Sequence, residues 1–170
     1  NWVLTARHCR RRAGVRFCVG EDPEIQDICF SGTRVIDHPD VDMTLVQLDV
    51  PASTRAPGIR PIPILTEIMD ESWLGRTAEA SGYGQEEDMT SGERKFTAQP
   101  IVELTDTRVA IDGEGERGVC FGDSCGPVMV IATYGTVRVA GDLSRGDPRF
   151  VGLDHYIRTD VQQEWIWSFT

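Results

Sequence analysis

No apolar run in this 170-residue chain is long enough to span a membrane. The longest, Val128-Met-Val-Ile-Ala132, is strand-sized against the roughly 20 residues a spanning helix needs. No Cys-x-x-Cys and no His-x-x-x-His pair occurs, so the spacings that set up zinc geometry are missing and neither a metal nor a cofactor is expected. His38 and His155 accordingly read as loop or strand histidines. Gly113-Glu-Gly115 lacks the strand-turn-helix setting of a phosphate-binding loop and reads as a turn. Positive charge is scarce: 17 lysines and arginines face 27 acids, and a net charge of -10 disfavours nucleic acid and anionic membranes as partners. There is no internal repeat, no low-complexity tract, no initiator Met and no visible signal peptide.

What is present is a chain that is 40% apolar, enough for a core in one large or two small domains. Short alternating or apolar runs predict strands at Val15 to Val19, Thr33 to Ile36, Met43 to Leu48, Thr77 to Ser81, Phe96 to Leu104, Arg108 to Ile111, Val128 to Thr133, Val137 to Leu143 and Phe150 to Ile157. Gly, Pro and Asp clusters separate them, and a strand-like run also precedes His8. The segment Pro51 to Pro63 is too rich in proline for a central strand and reads as a connection. Helical periodicity is confined to the end, where Thr159-Asp-Val-Gln162 offers a capping box and Val161, Trp165 and Ile166 share a face. The fold class is therefore all-β with one C-terminal helix.

The chemistry concentrates in three segments. Gly118-Val-Cys-Phe-Gly-Asp-Ser-Cys-Gly-Pro127 presents Ser124 on a tight, glycine-flanked turn. A serine hydroxyl needs a base, a group that orients the base, and donors aimed at the oxyanion. The base candidate is His8, at a strand end in Asn1-Trp-Val-Leu-Thr-Ala-Arg-His-Cys9. The orienting candidate is Asp42, which immediately precedes the alternating run Met43, Leu45, Val46, Leu48. Asp37 and Asp40 precede that strand and read as solvated turn residues.

These segments resemble the motifs of the trypsin/chymotrypsin family of serine proteases, in the order His, Asp, Ser. Ser81-Gly-Tyr-Gly84, Leu143-Ser-Arg-Gly146, His155-Tyr-Ile-Arg158 and Glu164-Trp-Ile166 resemble further landmarks of the family and extend the likeness over nearly the whole chain. The resemblance implies two six-stranded antiparallel β-barrels. Residues 1–60 would form the first, incomplete at its amino-terminal side, and residues 61–170 the second, ending in the helix. It implies a fragment of a secreted enzyme, inactive and partly ordered by itself, whose upstream strands precede Asn1. It also implies that His8, Asp42 and Ser124 are catalytic, with the N–H groups of Gly122 and Ser124 as the oxyanion hole. Asp123 would pair with a new amino terminus made by an activating protease. Substrate would meet Gly118, Ser144, Arg145, Gly146 and Asp154. Because Gly118 stands where trypsin-like members carry an acid, Asp154 is the candidate for selecting Arg or Lys, or for a broader specificity. Partners would be protein or peptide substrates of a monomeric enzyme.

The family pattern is broken at three positions, Cys125 after the nucleophile, Arg145 in the substrate strand, and Phe150 where a cysteine is expected. These keep open an alternative, a catalytically impaired homologue acting as a binding or regulatory module. Among the five cysteines, Cys18 and Cys29 bracket a polar loop and are a candidate disulfide pair by proximity. By resemblance Cys9 is left without an intrachain partner, and Cys120 loses its usual one. A bridge from Cys120 to Cys125 would cross the nucleophile turn and strain it.

Overall fold

The computed structural model describes residues 1–9, 14–20, 28–85, 90–147 and 152–170. Its strands are β1 (Trp2–Thr5), β2 (Arg16–Val19), β3 (Ile28–Asp37), β4 (Thr44–Leu48), β5 (Thr77–Gly82), β6 (Lys95–Leu104), β7 (Arg108–Asp112), β8 (Pro127–Ile131), β9 (Val137–Arg145) and β10 (Leu153–Arg158). Every expected strand forms, with its ends moved by a few residues. The last expected strand begins at Leu153; its first expected positions, 150 and 151, lie outside the described residues.

The strands make two bodies. Strands β1-β4-β3-β2 form a curled four-stranded sheet, and β10-β7-β6-β5-β8-β9 close into a six-stranded antiparallel barrel. The barrel closes because its strands alternate inward apolar with outward polar residues. Thr77, Ala78, Glu79 and Ala80 of β5 run exposed, buried, exposed, buried. Small Ala78, Ala80 and Ala140 share the interior with Tyr156, Ile101, Ile111 and Trp73, so large side chains meet small ones. The register shifts once between β8 and β9, at Val128/Met129, and once between β9 and β10, at His155/Tyr156, bending the strands at one end of the barrel.

The sheet docks on the outside of the barrel. Met43 and Leu45 beside β1 pack on Ile157 of β10 and Ile166 near the carboxyl end, with Trp2, Leu4, Ile36, Ile64 and Trp165 around them. Opposite, Phe30, Val46 and Leu48 are also buried, so β4 is covered on both faces, as expected of a curled sheet. Cys18 and Cys29 stand directly opposite each other on β2 and β3 and form a disulfide, with Cα atoms 4.1 Å apart.

The carboxyl-terminal helix exists but starts later than its sequence signal suggests. It spans Gln163–Trp167, and the preceding Gln162 provides no side-chain cap. The Thr159 hydroxyl, expected to cap it, instead donates to the Val139 carbonyl at 2.7 Å, because Thr159 is buried against β9. Val161 is left outside the helix and exposed, while Trp165 stacks edge-on against His38 and Phe169. His38 is thereby confirmed as a structural loop residue: its Nδ1 accepts the amides of Asp40 and Val41. Asp37 corrects the solvated-turn reading, since it ends β3 opposite Thr44 and accepts that hydroxyl at 2.7 Å. The proline-rich connection contains one short helical turn, α1 (Ala52–Arg55), and no strand, and the carboxyl-terminal helix is α2.

Arg158 at the end of β10 is 5% exposed and Asp160 is fully enclosed. The guanidinium donates twice to Asp160 and also to the carbonyls of Thr105 and Met69, while the Met69 amide donates to Asp160. A buried ion pair of this kind is tolerated because the guanidinium makes four hydrogen bonds and both Asp160 oxygens are engaged. It ties the segment entering the barrel at Met69 to the strand that leaves it.

Candidate active site

Strand β1 ends at Thr5, Ala6 is buried, and a single 3-10 turn over Arg7–Cys9 presents His8 at the strand's end. Thr5 pairs with Thr44 of β4, which brings this turn beside the residues that precede β4. Asp42 lies there. Its carboxylate meets His8 Nδ1 at 2.7 Å and accepts the His8 amide at 3.0 Å. An ionised carboxylate has no proton to give, so Nδ1 carries the hydrogen and Nε2 is left bare as a base. Ser144 of β9 donates its hydroxyl to the same Asp42 oxygen at 2.8 Å. Burial acts upward on the Asp42 carboxyl, but the hydrogen bonds from His8 and Ser144, with the His8 amide and its charge, hold it below the ordinary range. Ser144, expected among substrate-binding residues, thus also joins the barrel to Asp42.

The Ser124 turn is pinned to the same strand. The Cys125 amide donates to the Leu143 carbonyl, the Leu143 amide to the Gly126 carbonyl, and Gly126 to Asp123. Gly122 has φ +101°, and a side chain there would press on Gly84, so only glycine fits. The amides of Gly122 and Ser124 donate to no acceptor among the described residues. The Asp123 carboxylate accepts the amides of Gly84 at 2.7 Å and Cys120 at 2.8 Å. A side chain at Gly82 or Gly84 would collide with that carboxylate, which accounts physically for the Gly-Tyr-Gly landmark.

Ser124 itself is exposed, and its hydroxyl makes no hydrogen bond to His8. His8 Nε2 faces Cys125 Sγ at 3.9 Å. Cys125 is bonded to Cys9, with Cα atoms 6.5 Å apart, and Cys120 is the free cysteine. This corrects one expectation, since Cys9 is not left unpaired; that Cys125 does not pair with Cys120 agrees with the strain expected of such a bridge. The physical reason is adjacency. Cys9 follows His8 and Cys125 follows Ser124, and where the fold brings His8 to the Ser124 turn the two sulfurs meet across a separation of 116 residues. That signal was present in the sequence and went unread. His8, Cys9 and Cys125 form one cluster of potential metal ligands within 4.8 Å, but sulfurs bonded to each other are not the thiolates a metal needs.

Asp154 and Gly118 sit beyond the turn. Asp154 is fully enclosed and accepts the amides of Val119 at 3.0 Å and Asp147 at 3.3 Å. Burial pushes its carboxyl up to about 6, and the charges of Asp147 and Asp123 add to this against the two amides. It meets no cation among the described residues, and Gly146 packs close over it, since a side chain there would sit 3.0 Å from its Oδ1. Arg145 is exposed at the end of β9. Phe150 lies outside the described residues.

One residue of the site escaped sequence reading. Asp142 of β9 is 2% exposed, neither carboxyl oxygen has a partner, and it pairs with Ile157 on the outer face that meets the four-stranded sheet. Burial and then the charge of Asp42 raise its pKa well above 3.8, which favours the protonated form. A protonated Asp142 spares Asp42 a second negative charge.

The family model described as Trypsin matches residues 1–166 of the chain. Kallikrein 1-related peptidase b5 of Mus musculus is 26% identical over 203 residues, covering 98% of this chain and 75% of that protein. Kallikrein-1 of Mus musculus is 26% identical over the same shares. Brachyurin of Leptuca pugilator is 25% identical over 197 residues, covering 99% of this chain and 83% of its own.

The sign of the Asp142 effect is fixed by its raised pKa. Its contribution to stability is fully present below about 3.8 and is lost as pH rises through the higher folded value. Urea unfolding across pH 4 to 8 should therefore show Asp142→Asn gaining on the parent protein as pH rises, and a constant difference would contradict the buried neutral acid.

Proposed function

The chain belongs to the trypsin family, and from that premise we propose that it is a serine endopeptidase. In this reading Ser124 Oγ attacks the scissile carbonyl while His8 Nε2 takes its proton. The C–N bond then breaks as His8 returns the proton to the leaving amine, and water hydrolyses the acyl-enzyme by the same steps. Asp42 fixes the tautomer and steadies the imidazolium, and the unspent amides of Gly122 and Ser124 receive the oxyanion. Residues 1–60 supply base and acid; residues 61–170 supply nucleophile and pocket. Asp123, which holds two amides and meets no cation among the described residues, is the acceptor for an ammonium released by an activating protease. The enzyme is secreted, acts as a monomer on proteins or peptides, and uses no cofactor. Two disulfides fit an oxidising compartment, and among the described residues no helix is long and apolar enough to cross a membrane.

The observation that carries the reading is the His8–Asp42 pair, whose bare Nε2 faces the turn that bears Ser124. A second reading, a non-catalytic homologue that binds peptides, draws on the 3.9 Å approach of Cys125 Sγ to that nitrogen, the place where a nucleophile would stand. Labelling of the amino-terminally processed protein with a fluorophosphonate separates them. The peptidase reading expects labelling that vanishes in Ser124→Ala and falls about 10⁴-fold in rate in Asp42→Asn, as loss of the correct tautomer does in such triads. Folded protein that takes no label favours the binding module.

In this reading specificity follows from Asp154, which lies beneath Val119 and Gly146. An ionised carboxylate there favours Arg or Lys before the scissile bond, and a neutral one does not. The kcat/KM ratio for Arg over Gln peptides should therefore rise by about tenfold as pH passes upward through about 6, and Asp154→Asn should flatten that profile. An unchanged profile in Asp154→Asn would remove Asp154 from specificity.

A further inference from the structure

On the outer face of the barrel, a surface cavity of about 200 Å³ is lined by Arg108, Ser144, Arg145 and His155. Its place follows from the strand registers. His155 of β10 stands opposite Arg145 of β9, and Ile157 stands opposite Arg108 of β7. Residues two apart on a strand share a face, so His155 lies on the face of Ile157, which packs against Met43 and Leu45 of the sheet. The cavity therefore borders the seam between the two bodies, and its Ser144 is the residue that donates to Asp42.

Its electrostatics run against the rest of the chain, which carries a net charge of -10. Neither Arg108 nor Arg145 forms an ion pair with an acid among the described residues. Burial, with Arg145 and Arg108 acting in the same direction and Glu103 of the neighbouring strand β6 opposing, lowers the pKa of His155 and leaves it neutral. Its Nδ1 is enclosed without a partner. The cavity thus presents two unpaired guanidinium groups and a neutral imidazole, and guanidinium forks match carboxylates in geometry and charge.

The backbone explains how such a carboxylate would arrive. Strand β8 pairs with β9 only as far as Asp142, and the nucleophile turn occupies Leu143 through the bonds to Cys125 and Gly126. From Ser144 to Arg145, β9 keeps β10 on one side and, among the described residues, no strand on the other. An extended peptide can add to such an edge through main-chain hydrogen bonds, its alternate side chains dropping into flanking pockets. A side chain of such a peptide beside Ser144 would then reach the cavity lined by Arg145 and Arg108.

Resting on the peptidase reading for what the edge binds, we propose that Arg145 and Arg108, with His155, form a subsite for an acidic side chain of the substrate, on the amino-terminal side of the scissile bond. Arg145, where the family carries tryptophan, is then a specificity residue that exchanges an apolar wall for a carboxylate clamp.

Binding tests this without turnover. Fluorescent peptides carrying Glu or Gln at successive positions before the scissile bond are titrated onto the Ser124→Ala protein. At one position Glu should bind about five- to tenfold tighter than Gln at low salt, a preference that shrinks in 1 M NaCl, where charges are screened within about 3 Å. Arg145→Ala with Arg108→Ala should abolish the preference, so that Glu and Gln peptides bind alike. Equal binding of Glu and Gln at every position, a preference that survives the double substitution, or no peptide binding at all would each overturn the subsite. The two readings fail separately: a protein that cleaves Glu and Gln peptides alike keeps the peptidase and loses the subsite. One that binds Glu peptides preferentially yet cleaves nothing keeps the subsite and loses the peptidase.

Discussion

The Asp42 carboxylate gathers hydrogen bonds from both bodies of the molecule. From the four-stranded sheet it receives the His8 ring and the His8 amide, and from the barrel it receives the Ser144 hydroxyl. Three donors on one half-buried acid keep it ionised against the upward push of burial. Its neighbour Asp142 has its pKa raised by burial and by the Asp42 charge, which favours the protonated form. The tautomer of His8, the approach of β9 to the sheet and the direction in which Nε2 points all follow from that one acceptor.

Packing makes the arrangement possible. Met43 and Leu45, which directly follow Asp42 in sequence, bury themselves against Ile157 and Ile166, so the segment that carries the acid is held to the barrel's outer face. The nucleophile turn is fastened to the same strand by the bonds between Leu143, Cys125 and Gly126. His8, Asp42 and Ser124 therefore stand beside the ends of packed strands, and Ser144 and Arg145, proposed here to face substrate, end β9 with β10 on one side.

Much of this was legible from local chemistry. Alternation found the strands because one face of each is buried, and Gly-Asp-Ser, His8 before a cysteine and Asp42 before an apolar run marked the three segments the fold brings near one another. What sequence reading missed depends on contacts far apart in the chain. The Cys9–Cys125 bond joins residues 116 apart, and the partners of Arg158 lie on Thr105, Met69 and Asp160. Asp142 looked like an ordinary strand residue because nothing local says that its outer face meets a second sheet. The capping box failed for a related reason: Thr159 is buried beside β9, and a strand carbonyl competes for its hydroxyl.

The central claim is that the His8 turn and the Ser124 turn meet across the two bodies, and the cysteines beside them report on it directly. Proteolysis and mass spectrometry of the oxidised protein, with free thiols alkylated, should recover the Cys9 peptide bonded to the Cys125 peptide, Cys18 bonded to Cys29, and Cys120 alkylated. Recovery of Cys125 alkylated, or bonded to Cys120, would contradict the account.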